Sequence, residues 1–414
     1  MPTLMFIYKE SLDSITDKIR EILGVANRKF TVPSGIVSGI VDCNKKGKDT
    51  MLKKTFTNYD YANDGYEFPK LGKYAFAGNT NLTTVVLERG NTVSDYCFLD
   101  CINLSSVSFK NNYGSSTAFV PRATACFKGC TSLQNITIAG DPIGGGEVGD
   151  EAFSGCSSLR QVKYFNYPVE YYSIGRESFL NCSSLTSYYL GSYIRSVGNS
   201  AFMNSGLTSL TIDERYANSL TLGEYAFAGC TDLTSVNISS VHNISYGSHC
   251  FDGDTSLETV VLSPKTTSIP SYCFNNCTSL RSIIIPATCT SIGDYAFNGC
   301  TALEEVIFAN DSTLNSIGVR AFMGCTSLVN ITVPSTVTSI GTYAFANCSA
   351  MSYCRLIPTT PPTIGSYIYY NTINNPLTIY VPDSEEGTVL AAYQNATNWK
   401  ISSYKSRMAV WQES

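Results

Sequence analysis

Histidine and tryptophan are scarce in this 414-residue sequence, with two of each. Two imidazoles are too few for a histidine-rich metal centre. His249 moreover stands where a motif repeated along the chain otherwise has Tyr (Tyr225, Tyr272, Tyr295, Tyr343), which makes it a variant of a structural position. His242 alone builds no catalytic triad. Charged residues make up only 15% of the chain, with a net charge of −5, and the ten Lys and Arg of residues 1–60 are dispersed among seven acids. That balance excludes an electrostatic nucleic-acid binder. No stretch approaches the ~18 apolar residues of a membrane-spanning helix, so no membrane insertion is expected. The opening MPTLMFIYKESLD has an apolar run too short, and too soon followed by acid, for a signal peptide.

Enzyme motifs are missing too. GGGEVG (144–149) spells G-x-G-x-x-G, but no long helix follows it and it falls in an inter-strand loop, where flexibility is the better account of the glycines. YDYANDGYEF (59–68) scatters its acids without the alternate-residue spacing of a calcium loop. No catalysis, metal or cofactor is expected.

What the sequence has instead is repetition. Phe76, Phe98, Phe127, Phe153, Phe179, Phe202, Phe227, Phe251, Phe274, Phe297, Phe322 and Phe345 recur at intervals of 22 to 29 residues, giving twelve copies of one unit. A period of this size marks a solenoid, whose units bury their apolar sides only by stacking on one another. Six residues after the Phe sits Leu (Leu104, Leu133, Leu280, Leu303), replaced by Met351 in the last copy and shifted to Leu207 in the sixth. Nine and eleven residues after it come pairs such as Ile283 and Ile285, or Val306 and Phe308. That period of two predicts a short strand with one face buried. A second apolar pair, as in Ile292-Gly293, precedes the next Phe, and the Gly suits a turn. Each coil therefore reads as strand, turn, short strand and a tight corner carrying Tyr-Ala-Phe.

Nine of the sixteen cysteines fall three places after the Phe, and Cys97, Cys126, Cys250 and Cys273 fall just before it. The earlier place otherwise holds mainly Ala or Ser, so it wants a small buried side chain, as free Cys can be. At the later place, Asn79, Ser205 and Asp254 show tolerance for small polar groups able to hydrogen-bond a turn. Zinc knuckles have other spacings and cluster their ligands. A uniform ladder has no natural disulfide pairing, so thiols are expected.

The stretch CTSLRSIIIPATCTSIGDYAFNGC (277–300) resembles the BspA-like class of leucine-rich repeats, with Leu280, the Ile pairs, Pro286, Ile292-Gly293, Ala296-Phe297 and Cys300 in the places of that repeat. The likeness covers about residues 70–357. It implies a leucine-rich-repeat solenoid, mainly β with short helical or turn corners, used for adhesion or recognition at microbial surfaces. LTIYVPDSEEGTVLAAYQNATNWKISSY (377–404) resembles the cap that follows such repeats, a closing strand and a helix around Tyr393 and Trp399. In residues 1–60, Leu12, Ile15, Ile19, Ile22 and Leu23 share one helix face, and Val32, Ile36, Val37, Ile40 and Val41 mark a second, weaker helix. LDSITDKIREILGVANRKFTVPSGIVSGIVD (12–42) resembles a segment of phage and prophage tail-associated proteins; a plain N-terminal cap for the solenoid is the alternative. The expected organisation is thus a helical docking or capping unit (1–60), the solenoid (61–357) and a C-terminal cap (358–414).

Three long intervals place extra residues between the first strand and the next Phe, at 110–123, 139–149 and 164–175. Insertions at one place in successive coils pile up on one edge, often the binding edge of a solenoid. This edge gathers Tyr113, Phe119, Phe165, Tyr167, Tyr171 and Tyr172, with Tyr189 and Tyr193 on the next coil. Uncharged aromatics suit sugar faces or protein hot spots, although rings can equally pack loops onto the solenoid. The expected function is non-catalytic recognition of a host-surface glycan or protein, in a phage or prophage tail to which residues 1–60 attach it. A bacterial cell-surface adhesin and a structural spacer are the alternatives. Should the edge not bind, the Ser- and Thr-rich strand face around Ser235, Asn237, Asn330 and Thr332 is the next candidate.

Overall fold

The computed structural model describes residues 55–57, 70–88, 92–110, 122–139, 146–165, 171–190, 194–212, 219–372, 377–382, 387–399 and 402–411. They belong to the compact unit Lys54–Ser414. The helices expected in residues 1–60, and the acids of 59–68, lie outside the described residues.

The chain is a mainly β solenoid with parallel pairing throughout. The strand that follows each Phe stacks on its counterpart in the next coil: Thr84–Glu88, Ser106–Lys110, Asn135–Ala139 and Gln161–Phe165 form one run, and Asn330–Val333, Tyr353–Leu356 and Thr378–Pro382 another. The shorter strand before each Phe makes a second wall, as in Ser291–Ile292, Ser316–Ile317 and Ser339–Ile340. Gly146–Val148 and Tyr171–Ile174 belong to this second wall. Part of GGGEVG, expected in a loop, is therefore strand.

Between the walls runs a column of rings. Consecutive phenyls from Phe76 to Phe345 lie with centroids 5.0 to 5.7 Å apart and nearly parallel planes. The column does not stop at Phe345: Tyr369 stacks on it at 5.8 Å. The stretch Ile364 to Thr372 is thus a further corner, hidden from an alignment on Phe by Tyr at the ring position and Thr at the Cys position. The Leu six places after the Phe and the inward strand residues fill the remaining core, with Leu280, Ile283 and Ile285 at 0 to 1% exposure.

Each corner hydrogen-bonds to the next coil as fully as the strands do. Around Phe297, the amides of Tyr295, Phe297 and Gly299 donate forward to the carbonyls of Val319, Ala321 and Met323 at 2.7 to 2.8 Å, while those of Ala296, Asn298 and Cys300 donate within the coil. This alternation requires left-handed backbone two places before and two places after the Phe. The later place holds Gly, Asn or Asp, which adopt it readily. The earlier place holds Tyr, Glu, Ser, His, Arg or Ala at φ 50 to 60°, a conformation costing L side chains roughly 1–2 kcal/mol. The forward hydrogen bonds and the stacking of these side chains offset that cost.

The glycine of the Ile-Gly pairs serves close approach rather than turn geometry. A Cβ on Gly318 would sit 2.5 Å from the Gly293 carbonyl carbon and 2.6 Å from the Asp294 amide nitrogen, and the same clash recurs at Gly293 and Gly341. Backbone of the preceding coil occupies the space where a side chain would begin.

The later-position cysteines are more than small apolar fillers. Every one of them donates its S–H to the carbonyl of the Phe in the preceding coil, at Sγ–O distances of 3.0 to 3.2 Å. Thr372 does the same to Phe345 through its hydroxyl at 2.6 Å. Among the described residues all cysteines are free and buried. Burial pushes the Cys300 thiol up to about 12, so the donor proton stays on sulfur at neutral pH.

The corner at Ile364 to Thr372 lies inside the expected cap of residues 358–414, and a short helix and a strand follow it. The helix α1 (Thr388–Asn395) buries Tyr393, and Trp399 follows it. Tyr393 Oη and Trp399 Nε1 each donate at 2.8 Å to carbonyls of the last coils, Pro358 and Pro362. The strand Met408–Trp411 then pairs with Thr378–Pro382.

Two outcomes follow from the corner. Cys300→Ser keeps a side-chain donor for the Phe274 carbonyl, which also accepts the Cys277 amide, whereas Cys300→Ala removes that second hydrogen bond; chemical denaturation should find Ala destabilised relative to Ser by about 0.5–1.5 kcal/mol. If the position wanted only a small apolar group, Ala would be the milder change.

Asp254 takes the same ladder place with no exposure, accepts the Cys230 amide on Oδ1 at 2.8 Å, and leaves Oδ2 without a partner. Burial pushes its pKa well above the carboxylate range, against the Cys230 hydrogen bond and with Asp252 adding to the rise. The remaining titratable neighbours, Cys230, Cys250, Cys273 and Cys277, are buried thiols raised by the same cause. The folded pKa exceeds the unfolded value, so the neutral acid's contribution is complete below about pH 4 and is lost as pH rises through the folded pKa. Denaturation measured from pH 4 to pH 8 should therefore show wild type losing stability relative to Asp254→Ser; a constant difference would contradict a neutral Asp254.

Candidate recognition surface

The strand that buries every second side chain presents the others to solvent. Eight and ten places after the Phe are outward, and on several coils both carry small polar residues, as in Ser209 and Thr211 (one place earlier in this shortened coil) and Ser235 and Asn237. Three successive coils carry aliphatic residues there instead. Val261, Ile284 and Ile307 take the outward tenth place at 49%, 58% and 39% exposure. Ile284 and Ile307 are register partners, and the strand Thr259–Val261 belongs to the coil before them. The result is an open apolar strip on a sheet face, bordered by Glu258, Glu304 and Glu305, with Arg281 pairing Glu304 at 3.3 Å. Val329 extends the apolar area at 46% exposure.

Tyr189 lies on the same face. Its place, ten after Phe179, is that of Val261 and Ile284, and it is 49% exposed, while Tyr188 packs against Phe179 and Phe202 and Leu190 is buried. It therefore stands on the strand face and not on the insertion edge with which its sequence neighbourhood groups it. Of the other expected ligand contacts, Phe165 ends the strand Gln161–Phe165, and Tyr171 and Tyr172 open the strand Tyr171–Ile174. A register irregularity between Gly146 and Glu147 leaves Tyr172 without an opposite number. Tyr113, Phe119, Tyr167 and Tyr193 lie outside the described residues.

The corner presents a second ordered surface. Tyr225, His249, Tyr272 and Tyr295 stack face to face at 4.3 to 4.5 Å. Arg320 then takes the place of a ring between Tyr295 and Tyr343, 5.3 and 5.4 Å from their centroids. His249 is held structurally, its Nδ1 at 2.6 Å from Asp252. In the earlier coils ions replace rings: Glu151 bridges Lys128 and Arg176, and the Lys128 hydrogen bond chiefly holds its carboxyl below the usual range. Between Tyr225 and Tyr295 the facing ring surfaces are covered by their neighbours.

The outward apolar strip was missed in the sequence because Ile284 and Ile307 sit inside the runs SIII and EVIF, where their inward neighbours account for the hydrophobicity. Comparing the tenth place across coils, Thr or Asn against Val and Ile, is the signal that finds it.

A model of the BspA-type leucine-rich repeat region matches in six copies, over residues 64–164, 123–218, 146–279 and 267–400. No curated protein matches the chain. Among solved structures, a leucine-rich repeat protein from Bacteroides ovatus is 20% identical over 80% of this chain and 88% of its own, with a TM-score of 0.33. A leucine-rich cell surface protein from Faecalibacterium prausnitzii is 23% identical over 73% and 87%, with a TM-score of 0.36. The pneumococcal vaccine antigen PcpA is 13% identical over 82% of each chain, with a TM-score of 0.35. Superpositions this loose fix nothing about the present chain, and its assignment rests on the repeats. With the repeat matched from residue 64 to residue 400 and its Leu, Phe and Cys places gathered in one continuous core, the chain belongs to the BspA-type leucine-rich repeat family.

Proposed function

We propose that this chain is a non-catalytic recognition protein, a BspA-like adhesin of a bacterial cell surface, that receives partner proteins on the outward face of its strands. Proteins built from this repeat are typically binding proteins without catalysis. The observation that carries the reading is the strip of Val261, Ile284 and Ile307, held open on three successive coils between neighbours whose tenth place is polar, Asn237 on one side and Thr332 on the other. Exposed apolar side chains in register, rimmed by charge, have the anatomy of a protein interface. The phage-tail setting draws its support from residues 12–42, outside the described residues, and no comparison adds to it.

The insertion edge with Tyr171 and Tyr172 is the second candidate, favoured by three consecutive long intervals. Two double variants separate the faces on a panel of purified cell-surface proteins and a glycan array. Ile284→Ser with Ile307→Ser should keep the melting temperature, since both side chains face solvent, and weaken protein binding about 30-fold or more, as loss of interface anchors does. Tyr171→Ala with Tyr172→Ala should leave that binding unchanged. The reverse pattern moves the site to the insertion edge, and no effect from either pair favours a spacer.

A further inference from the structure

We infer that the outward face of the last three strands is a second binding site, built for an acidic, extended peptide segment of a partner protein; the inference rests on the reading that the strand face receives proteins. Tyr353 and Arg355 face outward on one strand, opposite Thr378 and Tyr380 on the next. Met408 packs on the core, so the alternation of the final strand turns Arg407 and Trp411 to the same outward side. The Arg355 guanidinium reaches across to lie 4.7 Å from the Trp411 ring centroid, and Tyr353 and Tyr380 meet edge to face at 5.8 Å.

This patch differs from the rest of the face in two ways. Two arginines, Arg355 and Arg407, stand here with no acid at any outward place of the three strands, whereas the arginine beside the apolar strip, Arg281, pairs with Glu304. Three N–H groups here, Arg355 Nε, Arg407 Nη1 and Trp411 Nε1, are buried and without a hydrogen-bond partner. Folded proteins rarely leave buried donors unpaired. All three are donors only, and two carry fixed positive charge, so the group that completes them is an acceptor with negative charge, a carboxylate. The stacking on Trp411 holds the Arg355 fork before any ligand arrives, which reduces the ordering cost of binding.

A protein segment fits better than a free anion. Tyr, Trp and Arg are the residues that dominate protein-binding hot spots. The strand Met408–Trp411 is also the outermost of its sheet among the described residues, an edge along which an extended chain can pair its backbone.

The test uses the full chain and fluorescent decapeptides of alternating Glu and Thr, with Gln–Thr and Lys–Thr versions as controls and acetate and sialyllactose as competitors. The Glu–Thr peptide should bind and the controls should not. Arg355→Gln with Arg407→Gln should weaken it at least tenfold. Arg355→Lys with Arg407→Lys should fall between, because Lys keeps the charge but not the planar fork; it also serves if the Gln pair fails to fold. Equal binding of acidic and neutral peptides, an unchanged affinity in both arginine pairs, or competition by acetate or sialyllactose as strong as by the peptide would each overturn the inference. So would a melting-temperature loss in Asp383→Asn, Glu385→Gln, Glu386→Gln that is not additive with the arginine change, since the chain's own acids would then be the acceptors. Failure here with panel binding still dependent on Ile284 and Ile307 removes this site alone and leaves the adhesin reading in place.

Discussion

Every coil of this protein must lie within hydrogen-bonding reach of the next along its whole circuit, at the corners as well as in the strands, and the remaining features follow from that constraint. Strands meet it by parallel pairing. A corner has no such regular solution, because its carbonyls and amides point in turn along and across the coil. The chain solves this by placing left-handed residues on both sides of the Phe, so that alternate amides point forward, as those of Tyr295, Phe297 and Gly299 do. Once the corner backbones are bound at this spacing, planar rings on successive coils can only lie parallel, and the column from Phe76 to Tyr369 results. The same spacing excludes a Cβ at Gly293, Gly318 and Gly341.

In most coils the Phe carbonyl accepts the amide three places on and keeps a second lone pair for the next coil. A small side chain with a proton to give, three places along in the next coil, completes it. Cysteine supplies the proton with a body that packs like an apolar group, which explains why so many cysteines recur in one register without forming disulfides. Asp254 holds the same place by another contact, accepting the Cys230 amide on a buried carboxyl group, and this makes its coil a pH-sensitive rung of the ladder. Because each coil touches only its neighbours, a weak rung of this kind acts locally in a stack whose stability sums over adjacent interfaces.

Much of this was legible in the sequence, because burial imposes period and size. Phe, the Leu six places on, and the alternating strand residues are dictated by what must be inside. The role of the cysteines was harder to read, although a signal was present: the place before the Phe accepts Ala75, Ala296 or Ala321, while the place three after it holds Asn79, Ser205, Asp254 or Thr372 but never Ala. A position that refuses Ala needs a polar function as well as small size. The glycines were read as turn formers because sequence carries no distance to the neighbouring coil. The final corner was hidden by two substitutions at the marker positions, Tyr369 and Thr372. The candidate surface was the least legible part. Exposed Ile284 is indistinguishable in composition from buried Ile283 and Ile285, and only the register of the strand separates them. Tyr189, grouped in the sequence with the insertion edge, is exposed, and its face follows from counting ten places from Phe179 and not from its nearness to the insertions.

The claim on which the rest depends is that the corner cysteines are reduced and hydrogen-bonded to the coil before them. Raman spectroscopy of the S–H stretch tests it directly, since this band is free of other protein vibrations and moves to lower frequency when the thiol donates. The native protein should show a strong S–H band at lower frequency than the same protein unfolded without reductant, with its total intensity conserved. A native band at the unfolded position would mean that the thiols donate no more strongly than they do to water, and a missing band would mean that they are oxidised or bound to metal; either result would contradict the account.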